Sequence, residues 1–359
     1  MGWPELAAAP PAWGNAEVTQ GDPRRAVVLT RLIACRNFPG LPFPVSATPN
    51  QCAAAAERAL EWIARAGFPP AAALAGLPPR IIRMLREREM LPHRAAAFPG
   101  KKGFKHLAFS PDGGSWALVN EIEHLTLGRL LPGCPAPAAA VFPATDPGPA
   151  GGWARSERWG HLSSDPGRIG PGVSVELVVH LPGLALAREL PAARNYCLAA
   201  GLAFGPAAPP AASLPGPADI GLFRIASRGR LGQTPADAYG DHLEAIAPVL
   251  RRESEMRREC LARHPDRLAA RVGAALERLE SAPSLSHAEL LAHSSPARLG
   301  ADLGLLAPQI GRILEFLRVT AASGHLGVSS DRELAQEEED FTRAKVVRLS
   351  LEKGRLDGI

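Results

Sequence analysis

The chain has 359 residues, of which 46% are hydrophobic and 21% charged, and its formal net charge is +4. That length allows one large or two moderate domains with a sizeable core, and a charge excess this small gives no argument for a nucleic-acid partner. No stretch has the apolar length of a membrane span, and the start MGWPELAAAPPAWG lacks the basic-then-apolar pattern of a signal peptide.

The five cysteines, Cys35, Cys52, Cys134, Cys197 and Cys260, are scattered and form no CxxC pair. A disulfide framework or a structural zinc site is therefore not expected. The expectation is a soluble protein of a reducing cytoplasm, without a metal site and without nucleic-acid or membrane partners.

Residues 1–25 are rich in Pro and Ala and are expected to be poorly ordered. AVVLTRLIACRN (26–37) opens as a β-branched run and reads as a strand. FPGLPFPVSATP (38–49) is irregular. Residues 50–67 read as a helix that Asn50 can cap and Gly67 can end. PPRIIRMLREREML (78–91) reads as a second, amphipathic helix with prolines at its start. Residues 104–127 read as two strands around the turn PDGG. The segments 134–152 and 205–218 are Pro-rich loops. VSVELVVHLPGLAL (173–186) and IGLFRIASRGRLGQT (220–234) read as strands with turns. From Pro235 the period is helical almost to the end, with breaks expected at Pro296, Gly304 and Gly324.

The fold class is therefore α+β: a sheet-containing part, a long helix and a helical C-terminal part. The division expected is a poorly ordered 1–25, a first domain over 26–255 and a helical domain over 256–359.

Six collinear segments carry a resemblance. They are VVLTRLIACRN (27–37), RMLREREML (83–91), LVNEIEHLTL (118–127), WGHLSSDPGRIGPGVSVELVVHLPGL (159–184), LFRIASRGRLGQTPADA (222–238), and ARLGADLGLL (297–306) followed by EDFTRA (339–344). Together they resemble the ATP:guanidino phosphotransferase family, and the helical tail points to its protein-arginine kinase type. The resemblance implies an antiparallel sheet flanked by helices, then a helical domain for dimerisation and phosphoarginine binding. It implies ATP and Mg²⁺ as cofactors, a protein arginine as substrate or a protein as regulatory partner, and a homodimer.

Transfer of a phosphoryl group to a guanidinium needs arginines to hold the triphosphate and carboxylates to orient the guanidinium and help take its proton. The carboxylate that the family places in its Asn-Glu-Glu-Asp-His motif is Ile122 here, flanked by Glu121 and Glu123. In a strand those two would point away from the Ile122 face. The family's cysteine is replaced by Asp165. The catalytic candidates are thus Glu121, Glu123 and Asp165.

Arg31 and Arg36 match phosphate-binding arginines of the family, and Arg168 and Arg230 are further nucleotide-binding candidates. Other family positions have changed: Ile33, Thr126 and Ser174 stand for arginines and Glu89 for a histidine. The segment 204–210 lacks the Arg and Glu of the family's loop. In the tail, Asp340 and Arg343 match the phosphoarginine pocket, while its first arginine is Glu339. Two readings follow. One is a protein-arginine kinase with a remodelled site that uses these residues. The other is a non-catalytic relative that dimerises and binds a partner or regulates a homologue. Arg31 and Arg36 as structural ion-pair residues, and Asp165 as a turn residue, fit the second.

Overall fold

The run read as the first strand lies at the centre of the molecule. In the computed structural model, which describes residues 2–13, 22–92, 102–136, 151–207 and 221–356, Val27–Arg36 forms β1 and is buried along its whole length. In chain order there follow β2 (Ala72–Ala73), β3 (His106–Phe109), β4 (Ser115–Val119), β5 (Leu125–Pro132), β6 (Arg155–Ser156), β7 (Gly160–His161), β8 (Val173–His180), β9 (Ala203–Pro206) and β10 (Leu222–Arg228). β6 and β7 form a small hairpin. The others make one antiparallel sheet in the order β2-β3-β4-β5-β1-β8-β10-β9.

The helices are α1 (Trp3–Ala8), α2 (Pro49–Arg65), α3 (Pro79–Glu87), α4 (Pro182–Leu186), α5 (Leu190–Ala199), α6 (Pro235–Arg263), α7 (Pro265–Ser281), α8 (His287–Asp302), α9 (Pro308–Thr320), α10 (Ser323–Ser329) and α11 (Gln336–Leu356). One face of the sheet carries Ala34, Ala117, Val119, Leu125, Leu127 and Val173 and packs against α2. Leu32 and Val175 extend that face beneath Tyr239 of α6. Thr234 and Asp237 close a capping box at the start of α6, which satisfies two orphan backbone donors reciprocally. α6 then runs 29 residues without interruption, so the boundary expected at 255/256 falls inside one helix.

Four local expectations are corrected. The described part of 1–25 is not loose: Leu6 and Trp13 are buried with Leu29, Met84 and Trp116. The Pro/Ala background hid the apolar spacing of Trp3, Leu6 and Trp13. Thr48 rather than Asn50 caps α2, in a capping box with Gln51. Residues 104–127 contain three strands, because the chain turns again at Asn120–His124. Asn120 takes φ 52°, a left-handed conformation that Asn tolerates, and its amide donates to the carbonyls of Cys52 and Phe104. In the tail, Pro296 sits inside α8 and Gly324 inside α10, and neither ends its helix. Most of the two Pro-rich loops, over 137–150 and 208–220, lies outside the described residues.

The sheet and the helical tail meet at the end of α3. Gly324 of α10 lies so close to α3 that a Cβ would stand 2.2 Å from the Met84 backbone nitrogen. Glu87 accepts hydrogen bonds from the Gly324 and His325 amides (2.8 and 3.1 Å) and meets His325 Nδ1 at 2.8 Å. The next residue, Arg88, donates to the carbonyls of Ala9 and Pro10. Burial pushes its guanidinium pKa down to about 10. The third, Glu89, reaches the sheet. It stands just past the helix end at φ 58°, where glycine is usual.

Candidate functional site

Strand register brings the predicted positions together. Ile33 lies opposite Ser174 on β8 and opposite Gly128 on β5, while Cys35 lies opposite Thr126. Arg31 lies opposite Glu176, and Arg228 opposite Ser174. Residues paired directly across strands share a face, so these side chains belong to one surface, opposite the face packed on α2. Asp165 joins it at 3.2 Å from Arg228 Nη2. The Ser164 hydroxyl, in the same segment as Asp165, donates to the Ile122 carbonyl. Ile33 and Ser174 are thus neighbours on this surface, and Asp165 lies beside Arg228, the strand partner of Ser174.

The charge on this surface is held in a four-residue network. Glu176 Oε2 accepts from Arg31 Nη1 at 3.0 Å and from Arg224 Nη1 at 2.9 Å. Arg224 Nη2 also donates to both oxygens of Glu89, at 2.8 and 2.9 Å. Two cations and two carboxylates therefore cancel. Burial pushes the Glu176 carboxyl up, but Arg31 and Arg224 more than offset it and hold it below the usual range. Burial likewise works against the Arg224 charge, and Glu89 and Glu176 over-compensate and keep it protonated. Arg31 also lies over the Trp116 ring, 5.2 Å from its centroid. The indole can lie there because residue 128 is glycine: a Cβ would come within 2.0 Å of the ring.

The Asn120–His124 turn is pinned by its own polar groups. Glu123 is 0% exposed and accepts from Asn37 Nδ2 (2.5 Å), the Ser163 hydroxyl (2.5 Å), and both the amide and hydroxyl of Ser164. His124 Nδ1 accepts from the Phe38 amide, so the proton is on Nε2, which donates to the Pro42 carbonyl at 2.9 Å. Burial lowers the His124 pKa and keeps it neutral. Glu121 is buried with Lys105 Nζ at 3.8 Å. Of this motif the Ile122 side chain faces out, at 40% exposure. Glu121 and Glu123 are buried where Ile122 is exposed, and they stand in a turn rather than in the strand expected.

The other candidates spread out. The Arg36 guanidinium is buried on backbone, donating to the carbonyls of Cys35, Pro171 and Gly172. Arg168 Nη1 is 3.0 Å from Cys35 Sγ and its Nε 3.5 Å from Asp165. Burial raises the Cys35 pKa in spite of Arg168, so the thiol is protonated. Asp165 also caps a short turn through the Gly167 amide. Arg230 is exposed beyond the end of β10, with its guanidinium beside Gly201. The described part of the segment 204–210 brings Phe204 onto Phe223, with ring centroids 5.1 Å apart.

In the tail, Arg343 is 0% exposed. It donates to the carbonyls of Ala321 and Leu285 and to Asp340 Oδ1 at 2.5 Å. Its Nη2 is 3.5 Å from Glu339 Oε2, which also accepts from the Ser323 hydroxyl at 2.6 Å. The Glu339 carboxylate thus occupies the anion-accepting side of Arg343.

Sequence reasoning singled out neither Glu176 nor Arg224. The signal was present: Glu176 is the one carboxylate of VSVELVVH, and Arg224 stands among apolar neighbours in LFRIASR. Among the described residues, no cluster of three or more His, Cys, Asp or Glu is arranged to hold a metal ion, and no helix is long and apolar enough to cross a membrane.

Residues 265–357 match the family described as the Protein-arginine kinase McsB C-terminal domain. Over 338 residues the chain is 26% identical to a protein-arginine kinase of Halalkalibacterium halodurans, covering 90% of this chain and 91% of the relative. A protein-arginine kinase of Moorella thermoacetica is 27% identical over 350 residues, 94% of this chain and 96% of the relative. Among solved structures, a lombricine kinase superposes with a TM-score of 0.54 at 15% identity, over 70% of this chain and 72% of its own. The duplicated taurocyamine kinase of Schistosoma mansoni gives 0.51 at 16% identity, over 72% of this chain and 38% of its own. The collinear motifs, the antiparallel sheet with its helical tail and these likenesses agree: over most of its length the chain is similar to the protein-arginine kinases of the ATP:guanidino phosphotransferase family, and its tail matches their C-terminal domain.

Proposed function

We propose that this chain keeps the protein-arginine kinase fold with little or no capacity to convert ATP and protein arginine to ADP and phosphoarginine, and that it acts as a dimeric binding or regulatory protein. The observation that carries the reading is the Arg31–Glu176–Arg224–Glu89 network. An incoming triphosphate needs unopposed guanidiniums, and each arginine here is held by a carboxylate that the phosphates would have to displace. Ile33, Thr126 and Ser174 add no cation on the same face. The residues present therefore fit ATP and its Mg²⁺ poorly, and no transfer step is derived through them. On the acceptor side Ile122 can neither orient a guanidinium nor take its proton. Loss of a single charge-stabilising contact costs roughly 10²–10³ in rate, and several are missing together.

A second reading, a kinase with a rebuilt acceptor site, is favoured by one observation. Asp165 is partly exposed at the edge of the site and already holds a guanidinium, that of Arg228. Titration calorimetry with ATP–Mg²⁺ tests the first reading: no heat at millimolar nucleotide is expected, and micromolar binding refutes it. Incubation with ATP and an arginine-rich protein tests the second. Acid-labile phosphate on arginine would establish it, and its absence at high protein concentration would end it. A client protein retained by the wild-type chain without nucleotide, and a dimer in sedimentation, are the results expected of a binding protein.

A further inference from the structure

At the rim of the sheet surface three segments of the chain press on one another. The turn from Ser156 to Gly160 closes the β6–β7 hairpin. Gly160 lies so near Gly170 that a Cβ would stand 2.5 Å from the Gly170 carbonyl oxygen. Gly170 lies in turn against Leu231, whose Cδ2 is 3.2 Å from the place of a Gly170 Cβ. In the same segment a Cβ at Gly167 would collide with the Arg228 side chain. Two large apolar side chains stand out from this junction into solvent, Trp159 at 42% and Leu231 at 53% exposure.

Both are held in place. The Trp159 amide donates to the Ser156 hydroxyl at 3.3 Å, and the Arg158 guanidinium lies over the indole, 4.4 Å from its centroid. The Arg230 amide donates to the Gln233 side chain at 2.6 Å, and the Gln233 amide returns to the Arg230 carbonyl at 3.2 Å, which ties the turn carrying Leu231. A single exposed apolar residue needs no explanation, whereas apolar side chains grouped at one junction mark an interaction surface. Side chains already ordered lose little entropy when a partner arrives. The charge says which partner. The segments 155–161, 165–170 and 228–231 carry Arg155, Arg158, Arg168, Arg228 and Arg230 against Glu157 and Asp165. Asp165 is already shared by Arg168 and Arg228. Among the described residues the Arg158 and Arg230 side chains meet no carboxylate. Arginine grips carboxylates with a two-pronged fork and is more weakly hydrated than lysine, and Trp and Arg are the residue types that dominate binding hot spots.

We propose that this junction is a docking surface for an acidic segment of another protein, whose apolar side chains pack on Trp159 and Leu231 while its carboxylates meet Arg158, Arg228 and Arg230. It rests on the binding-protein reading given above and supplies that reading with a class of partner. A nucleic acid fits the same surface less well. Its phosphates would face Glu157 and Asp165, Leu231 offers no ring on which a base can stack, and the whole chain carries a net charge of only +4.

The test is fluorescence anisotropy on the full chain with three labelled probes at matched ionic strength. They are a short peptide alternating Glu with Leu and Phe, the same peptide with Lys in place of Glu, and a single-stranded oligothymidylate. The acidic peptide is expected to bind, more weakly as salt is raised, and the other two are not. Trp159→Ala should weaken it about thirtyfold, the scale of a hot spot. Arg158→Glu should weaken it and flatten its salt dependence. Leu349→Ala, at an apolar side chain of α11 that is 54% exposed, should leave binding unchanged. All three variants change exposed side chains, so an unaltered melting temperature separates lost binding from lost fold. No anisotropy change with the acidic peptide, equal binding of the Lys peptide, tighter binding of the oligonucleotide, or an equal loss with Leu349→Ala would each overturn the assignment. Nucleotide calorimetry decides the kinase question whatever the peptide does, so the two failures are distinguishable.

Discussion

Glu176→Gln is the sharpest perturbation of the sheet surface. It keeps the side-chain shape but removes the charge that Arg31 and Arg224 share, leaving two guanidiniums against Glu89 alone. Two hydrogen bonds to a charged acceptor, at 3.0 and 2.9 Å, are lost or weakened. Each is worth about 1.5–3 kcal/mol, and the amide oxygen recovers part of one. The side chains are 10–18% exposed, so screening is only partial. The range of about 3–5 kcal/mol for breaking a buried pair is then an upper limit. The expected loss is about 2–4 kcal/mol, read as a lower urea midpoint with an unchanged slope.

The same variant frees one positive charge, so inorganic phosphate should stabilise it and leave the wild type unaffected. The difference between the two proteins also depends on pH. The folded-state pKa of Glu176 is depressed. Its contribution is therefore complete above the unfolded value of about 4.3 and disappears as pH falls through the lower folded value. A loss below about 0.5 kcal/mol at neutral pH, the scale of an ordinary surface change, together with no phosphate effect, would refute the view that these carboxylates neutralise the site.

Gly324→Ala places a methyl group 2.2 Å from the Met84 backbone nitrogen and should cost about 1–3 kcal/mol through overpacking, measured by thermal unfolding. An unchanged melting temperature would mean that α3 and α10 are not in this contact. Glu123→Gln sets an amide NH₂ among donors from Asn37, Ser163 and Ser164. It should cost about 2–3 kcal/mol, with faster amide exchange at Ser164 and Asp165. Ile122→Glu changes an exposed side chain, so stability should move by no more than about 0.5 kcal/mol. No phosphoarginine should form, because the phosphate side is unchanged, and transfer by this single variant would contradict that account.

The scaffold was legible because its signals are local or periodic. The β-branched run at Val27, the prolines opening α3 and the helical period after Pro235 each report on their own neighbourhood. The shared surface was legible in part, since the collinear motifs singled out Arg31, Ile33 and Ser174, which the strand register then sets on one face. The network was not. Glu176 and Arg224 are 48 residues apart, and Arg224 and Glu89 are 135 apart. Only strand pairing and the left-handed step at Glu89 bring them together. The Asn120–His124 turn was missed for a similar reason: its apolar flanks continue a strand pattern, and what bends the chain is the reach of Asn120 to carbonyls of Cys52 and Phe104.

Glu87, Arg88 and Glu89 follow one another without a spacer, yet each is fastened to a different part of the protein. A backbone has two soft torsions per residue, so three adjacent anchors leave almost no slack. Glu89 cannot let go of Arg224 and relax out of its left-handed torsion without dragging on the carbonyls of Ala9 and Pro10 and on the first turn of α10. The N-terminal arm, the sheet surface and the tail are therefore geared together at one point of the chain. In native-state exchange they should open as a single cooperative unit rather than in sequence. A ligand that tugs on any one of them would be registered by the other two.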